Sequence, residues 1–335
     1  MRYLLTGLRY GLAVLSGLAL LLTLVSVVPS SAWWVQMLGF PRLQTLGVLA
    51  VGMLGLLALG WPAHRRAWAV LLLGSGLGLV MQSCFLWPYL PFTPQAVPAA
   101  SLAQARDSTN RLRVLVVNVL ITNRQDARLR QLVQATQPDV LLALEPDDWW
   151  ARALRPLHAT YPYRVALPRA DAYGMLLYSR LPLADTQVQN LLQRGVPSIR
   201  TRLRLRSGRL VNLFAIHPTP PVPDNYPDGV GLRGRALARV ADLVRADSLP
   251  TIVAGDFNDV SWSATIHQLT RTGQLRDVSR GRGLYNTFDA RSALARWPLD
   301  HFFVSAPWRV VALKRLPDVG SDHFPLYLDA VLAAR

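Results

Sequence analysis

Ile252-Val253-Ala254-Gly255-Asp256-Phe257-Asn258 is a short apolar run that closes on a glycine, a carboxylate and an amide. Four to five small or β-branched apolar residues read as a buried strand, and polar residues at its end are delivered to one edge of a sheet. The same shape recurs in Val114-Leu115-Val116-Val117-Asn118, Val140-Leu141-Leu142-Ala143-Leu144-Glu145, Phe214-Ala215-Ile216-His217-Pro218 and Leu299-Asp300-His301-Phe302-Phe303-Val304. Gly320-Ser321-Asp322-His323-Phe324-Pro325 leads into the last strand rather than following one. Glu145 is the only glutamate in the 335 residues, and a carboxylate at a strand end is placed to hold a metal.

Outward from these fragments, strands and helices mix. Strands are expected at 112–120, 140–144, 174–179, 201–206, 210–216, 251–254, 300–305, 308–316 and 325–332, and helices at 126–136, 232–246 and 263–270. Ser207-Gly208 reads as a hairpin turn. Strand pairs alternate with strand–helix–strand units, which predicts an α/β sandwich rather than a doubly wound parallel sheet.

Composition divides the chain near residue 100. Residues 1–110 carry seven charged side chains, whereas 111–335 carry 30 basic and 19 acidic ones, a net of +11. Three apolar stretches, 10–28, 43–61 and 67–87, match the ~20 residues of a helical bilayer span. Trp33, Trp34, Trp61, Trp68 and Trp87 lie near their ends, as in an interfacial belt. Arg2, Arg9, Arg65 and Arg66 place the amino terminus and the 62–66 loop in the cytoplasm, so the carboxy-terminal domain falls outside, in the periplasm of a bacterium. A cleaved signal peptide over the first run is the alternative, and it leaves the domain on the same side. The prolines at 88, 91, 94 and 98 and the polar residues after them make 88–110 a linker, which at ~3.1 Å per residue reaches roughly 70 Å. Cys84 is the single cysteine, so no disulfide forms within one chain.

The positive charge is a weak sign of a polyanionic partner, because 35 of the 36 basic residues are arginine and only Lys314 is lysine, a pattern that reads as codon bias. Arg200, Arg202, Arg204 and Arg206 share one face of a strand by their period of two. Arg233, Arg235, Arg239 and Arg245 are expected to be mostly solvent-facing.

Hydrolysis of a phosphate ester needs a cation at the phosphoryl oxygens, an activated water and a donor for the leaving oxygen. Asn, Glu, Asp and His at strand ends supply all three, and hard oxygen ligands favour Mg²⁺ or Mn²⁺. On these residues, in this order, 111–335 resembles the endonuclease/exonuclease/phosphatase superfamily. The resemblance implies a deoxyribonuclease I-like four-layer sandwich, two packed mixed β-sheets flanked by helices, here preceded by three transmembrane helices. It implies that Glu145 binds the divalent ion with Asn118 and Asp322 close to it. It further implies that Asp256 orients or deprotonates the water, Asn258 holds phosphate oxygens, Asp300 pairs with His323, and His217 stabilises the phosphate or protonates the leaving group. The principal base is left open between Asp256 and His323.

Taken singly, each of these residues is an ordinary turn former or packing residue; jointly that reading fails. His158 and His267 match no motif and are expected at the surface or in packing. His301 should point to the opposite face of its strand from Asp300. Trp149 and Trp150 read as packing or rim residues. The proline-rich run 218–229 beside His217 is similar to a bacterial membrane-attached subgroup and is expected to shape the substrate entrance. The expected activity is a membrane-anchored phosphodiesterase or nuclease. The alternatives are a lipid or small-molecule phosphoesterase and, more distantly, a non-catalytic receptor or scaffold. The expected partners are a phosphate-ester substrate and the lipid bilayer, with no protein partner.

Overall fold

The computed structural model describes residues 2–30, 32–59, 64–191, 194–221 and 232–333. The chain separates into two compact units, Met1–Pro88 and Tyr89–Arg335.

The first unit holds helices α1 (Arg2–Val25), α2 (Trp33–Met37), α3 (Arg42–Ala58) and α4 (Arg65–Leu86). α1, α3 and α4 pack on one another, and glycines set the spacing: a Cβ on Gly52 would lie 2.0 Å from Ser16 Oγ, and one on Gly78 would lie 3.0 Å from Leu49. The buried Arg42 donates to Gln82 Oε1 (3.0 Å), and Gln82 donates to Thr23 Oγ1 (2.9 Å), tying the three helices together at one end. The outer surface is apolar, with Val14, Leu18, Val51, Leu54, Val70, Leu73 and Val80 exposed. Of the three expected spans, two helices are long and apolar enough to cross a membrane, Tyr3–Val25 and Arg65–Tyr89. Arg42–Ala58 is a shorter apolar helix of 17 residues. At 1.5 Å per residue that is about 25 Å, against ~30 Å of hydrocarbon. Residues 60–61 of the expected middle span, Trp61 among them, lie outside the described residues.

The second unit contains α5 (Leu102–Arg106), β1 (Arg111–Asn118), α6 (Asp126–Thr136), β2 (Val140–Leu144), α7 (Asp148–Ala153), β3 (Tyr163–Leu167), β4 (Met175–Ser179), β5 (Leu183–Asn190) and β6 (Pro197–Arg204). It continues with β7 (Leu210–Ile216), α8 (Leu232–Arg245), β8 (Thr251–Asp256), α9 (Ala264–Thr272), β9 (Arg276–Asp277), β10 (Asp300–Val304), β11 (Trp308–Arg315) and β12 (Leu326–Leu332). One sheet runs β11-β12-β1-β2-β4-β3 and the other β5-β6-β7-β8-β10-β9. Each sheet has one parallel pair, β1–β2 and β7–β8, joined by a helical crossover (α6, α8); the other pairings are antiparallel.

Strand alternation sorts the apolar side chains into three cores. Val114, Val116, Leu142, Leu144, Leu213, Ala215, Ile252, Ala254, Phe302 and Leu328 fill the space between the sheets. Leu115, Val117, Leu141 and Ala143 face the opposite way onto Leu129 and Val133 of α6 and onto Trp150. Phe214, Ile216, Val253 and Phe303 do the same onto α8 and α9. The result is helix, sheet, sheet, helix, as expected. Three strands escaped the sequence pattern: β3, a five-residue edge strand, β5, a largely exposed edge strand, and the two-residue β9.

The segment expected to be a free spacer is instead folded with the second unit from Tyr89 onward. Tyr89 is buried and its hydroxyl donates to the Ser261 carbonyl (2.7 Å), Val97 belongs to the inter-sheet core, and Ala99 bridges to Val310. The prolines shape a strap along the domain rather than a tether.

Candidate active site

Parity places the functional side chains. On β1, residues 112, 114 and 116 face the inter-sheet core, so Asn118 lies on that face at the strand's end. By the same count His217 after β7, Asp256 ending β8 and Asp300 opening β10 are inward, while His301 is outward. β10 is antiparallel to β8 with Asp300 opposite Asp256, and β12 is antiparallel to β1, so His323 just before β12 reaches the same end. Two backbone features fit this edge. A Cβ on Gly255 (φ +149°) would lie 1.9 Å from the Ile216 carbonyl, so β7 and β8 approach this closely only at glycine. Glu145 leaves β2 with φ +61°, which turns it out of strand alternation, and its N–H donates to the Gly174 carbonyl (3.0 Å).

The groups converge. Asn118 Nδ2 donates to Glu145 Oε1 (2.8 Å) and to Asp256 Oδ2 (3.2 Å), linking a carboxylate of each sheet. His217 Nε2 lies 3.9 Å from Glu145 Oε1 and 3.8 Å from Asp256 Oδ2. His323 Nδ1 meets Asp300 Oδ2 at 2.8 Å, and its Nε2 lies 3.6 Å from Asp256 Oδ2. Asp256 Oδ1 accepts the Asn258 N–H (2.8 Å), and Asn258 Nδ2 donates to the Pro218 carbonyl (3.0 Å). Tyr173 packs on His217 and Phe288 on His323, with ring centres 5.6 and 5.0 Å apart.

Two expected metal-side residues behave differently. Asn118 turns its amide nitrogen toward the carboxylates, and its Oδ1 accepts the Leu120 N–H (3.0 Å), so it bridges two carboxylates rather than offering an oxygen. Asp322 turns its carboxylate to Arg291 (3.5 Å) and the Ser321 hydroxyl (3.3 Å) rather than to Glu145.

Burial dominates the electrostatics. It pushes the Glu145 carboxyl above the usual range, against the opposing pull of His217 and Asn118. It pushes Asp256 up as well, with His323 opposing and Asp300 reinforcing. Burial alone would lower His323, but the charges of Asp300 and Asp256 and the Asp300 hydrogen bond outweigh it and raise the imidazole to about 10. Desolvating an ion costs several kcal/mol, and the buried Asp256 and part-buried Glu145 around one amide nitrogen form a site that a cation would relieve. Asp256, Asp300 and His323 also present ligand atoms within 4.8 Å of one another, and Asp300 Oδ1 is buried without a hydrogen-bond partner. Oxygen-rich donors of this kind fit a hard divalent ion. His323 enters such a set only by giving up its proton, so Glu145 and Asp256 are the better-suited ligands.

The remaining histidines sit where the sequence put them. His301 is buried behind the site, its Nε2 on the Asp259 carbonyl (2.8 Å) and its ring edge-on to Phe257. His158 packs by Tyr178, and His267 is exposed on α9. Trp150 is core. Arg235, Arg239 and Arg245 are exposed, whereas Arg233 is buried. It shares the stripe of Leu237, Val240, Ala241 and Val244, so a charge on the apolar face of a helix was the missed signal. Tyr173 and Phe288 also escaped sequence reading, because they lie on loops without periodicity. Residues 222–229 of the proline-rich run lie outside the described residues.

A family model described as Endonuclease/Exonuclease/phosphatase family matches residues 115–323. A UPF0294 protein of Yersinia pseudotuberculosis is 26% identical over 243 residues, covering 68% of this chain and 86% of that protein. One of Vibrio cholerae is 26% identical over 235 residues, covering 67% and 79%. Among solved structures, the human Nocturnin catalytic domain with bound sulfate anion aligns with TM-score 0.54 at 17% identity, over 67% of this chain and 95% of that one. Zebrafish (D. rerio) TDP2 complexed with single strand DNA product aligns with TM-score 0.53 at 17% identity, over 66% and 98%. An endonuclease/exonuclease/phosphatase from Beutenbergia cavernae aligns with TM-score 0.52 at 20% identity, over 67% and 72%. At these identities the structures attest the fold.

Because Asp300 raises the His323 imidazole, the stability this pair contributes is fully present below the unfolded histidine value near 6.5 and is lost as pH rises through about 10. In metal-free protein, Asp300→Asn is expected to bring the His323 titration, followed by NMR, down to about 6.5 or lower. An unchanged titration would refute the pairing.

Proposed function

We propose, for a chain that belongs to the endonuclease/exonuclease/phosphatase family, that it is a membrane-anchored, divalent-metal-dependent phosphodiesterase or nuclease. The observation that carries this reading is the convergence of Asn118, Glu145 and His323 from one sheet with His217, Asp256 and Asp300 from the other, at one edge and in hydrogen-bond or ion-pair range.

Glu145 and Asp256 would hold Mg²⁺ or Mn²⁺, which when bound would neutralise phosphoryl oxygens. The chain's own groups do the rest. Asp256, its Oδ1 fixed by the Asn258 N–H, orients the attacking water and takes its proton. His323, kept protonated by Asp300, is a cation for the phosphoryl oxygens and not the base. Asn118 holds the two carboxylates in register across the sheets. His217, packed on Tyr173, is the group for the leaving oxygen.

Within this class, the half-buried Phe288, stacked on Trp297 with ring centres 5.9 Å apart and lying against His323, favours a nucleic acid, whose bases stack on such surfaces. The exposed Arg291 beside it adds a phosphate contact. A membrane location is supported by the outward apolar surface of the first unit around buried Ser16, Thr23, Ser75 and Gln82.

With purified full-length chain and Mg²⁺ or Mn²⁺, supercoiled plasmid is expected to be nicked and bis(p-nitrophenyl) phosphate hydrolysed. Glu145→Gln and Asp256→Asn should each lower the rate by ~10²–10³-fold or more. Turnover near wild type in both variants would refute the assignment, whereas loss of nicking alone, with the small diester or phospholipid still cleaved, would move the substrate. A reporter fused after the last residue should be active outside the cytoplasm, and activity confined to the cytoplasm would overturn the proposed topology.

A further inference from the structure

Behind the site lies a buried ion pair that the reaction chemistry does not use. Arg233, in the first turn of α8, points into the domain from the stripe that otherwise carries Leu237, Val240, Ala241 and Val244. Its Nη1 donates to the Asn258 carbonyl (2.5 Å) and its Nη2 lies 3.2 Å from Asp259 Oδ2. Both side chains are buried. Aliphatic residues suit that stripe, and a buried charge is tolerated only when its partner is in place.

We infer that Arg233 is a positioning residue, a fork that holds the Asn258–Asp259 turn so that Asp256 and Asn258 keep their working orientation. This rests on the phosphoesterase reading above. Asn258 has φ +49°, a left-handed conformation that asparagine adopts more readily than other L-residues, and contacts from several elements hold the turn in it. Arg233 grips two consecutive residues of that turn, the carbonyl of one and the carboxylate of the next. His301 Nε2 holds the Asp259 carbonyl from the other side, and Ser261 Oγ lies 3.3 Å from its Nδ1. In front of the turn, the Asn258 N–H fixes Asp256 Oδ1, and Asn258 Nδ2 fixes the carbonyl that follows His217. A chain of direct contacts thus runs from α8 to the proton acceptor and to the exit of β7. Only the planar, two-point guanidinium reaches both partners; a lysine offers a single centre.

The test uses the full-length chain, with Arg233→Lys and the double variant Arg233→Met/Asp259→Asn. The double variant removes both buried charges and keeps the test open should the single variant fail to fold. Turnover of bis(p-nitrophenyl) phosphate is read together with amide hydrogen exchange over 257–261. In folded protein, kcat should fall ~10–100-fold with KM within about twofold, and exchange over 257–261 should rise at least about tenfold while β8 stays protected. Wild-type kcat in either folded variant, or unchanged exchange over 257–261 in both, would overturn the inference. Should the wild type show no Glu145-dependent hydrolysis, the functional reading falls by itself, and the exchange result still decides whether Arg233 holds the turn.

Discussion

The inner faces of the two sheets pack against each other through alternating side chains, and the positions of Asn118, His217, Asp256 and Asp300 follow from that contact. Val114 and Val116 bring Asn118 inward, Ile252 and Ala254 bring Asp256, and Leu213 and Ala215 bring His217. Burying each such side chain is worth roughly 1.5–3 kcal/mol, so the register is held by many times the cost of the few polar groups at its edge. A slip of one residue in β1 or β8 would send Asn118 or Asp256 to the helix side. The hydrogen bond from Asn118 to Asp256 joins the sheets where the apolar core ends.

That edge is also where the chain departs from ordinary backbone. Glu145 and Asn258 are left-handed, and Gly255 is required by the closeness of Ile216. Positive φ also occurs elsewhere, at Gln137, Asp185 and Gln274 among others, and what sets Glu145 and Asn258 apart is that they carry site side chains. The support comes from different elements: the loop before β4 at Gly174 for Glu145, and α8 and β10 for the turn after Asp256.

Much of this was legible in the sequence because it depends on parity. Apolar runs ending in Asn118, His217 and Asp256 announced strands with inward polar ends, and the count from Asp300 put His301 on the far side, where it packs on Phe257; Glu145, one residue past the inward Leu144, needs its left-handed φ to reach the site. What depends on side-chain torsion was not legible. Whether Asn118 turns its oxygen or its nitrogen to the carboxylates, and that Asp322 faces Arg291, follow from contacts between distant residues. Edge strand β5 lacks alternation because solvent selects most of its residues, whereas the short β3 alternates, with Val165 and Leu167 packed on the inter-sheet core. The prolines of 88–98 suggested a tether because composition does not reveal that Val97 enters the core. Arg233 was misjudged as solvent-facing although its spacing from Leu237 placed it on the buried stripe.

The central claim is that this packing builds one cation site from carboxylates of both sheets. Titrating Mn²⁺ into the full-length chain, followed by electron paramagnetic resonance, tests it most directly. The account predicts about one tightly held ion per chain, weakened at least ~100-fold by Glu145→Gln and by Asp256→Asn while the fold persists. Binding that neither substitution alters, or no binding at all, would contradict it.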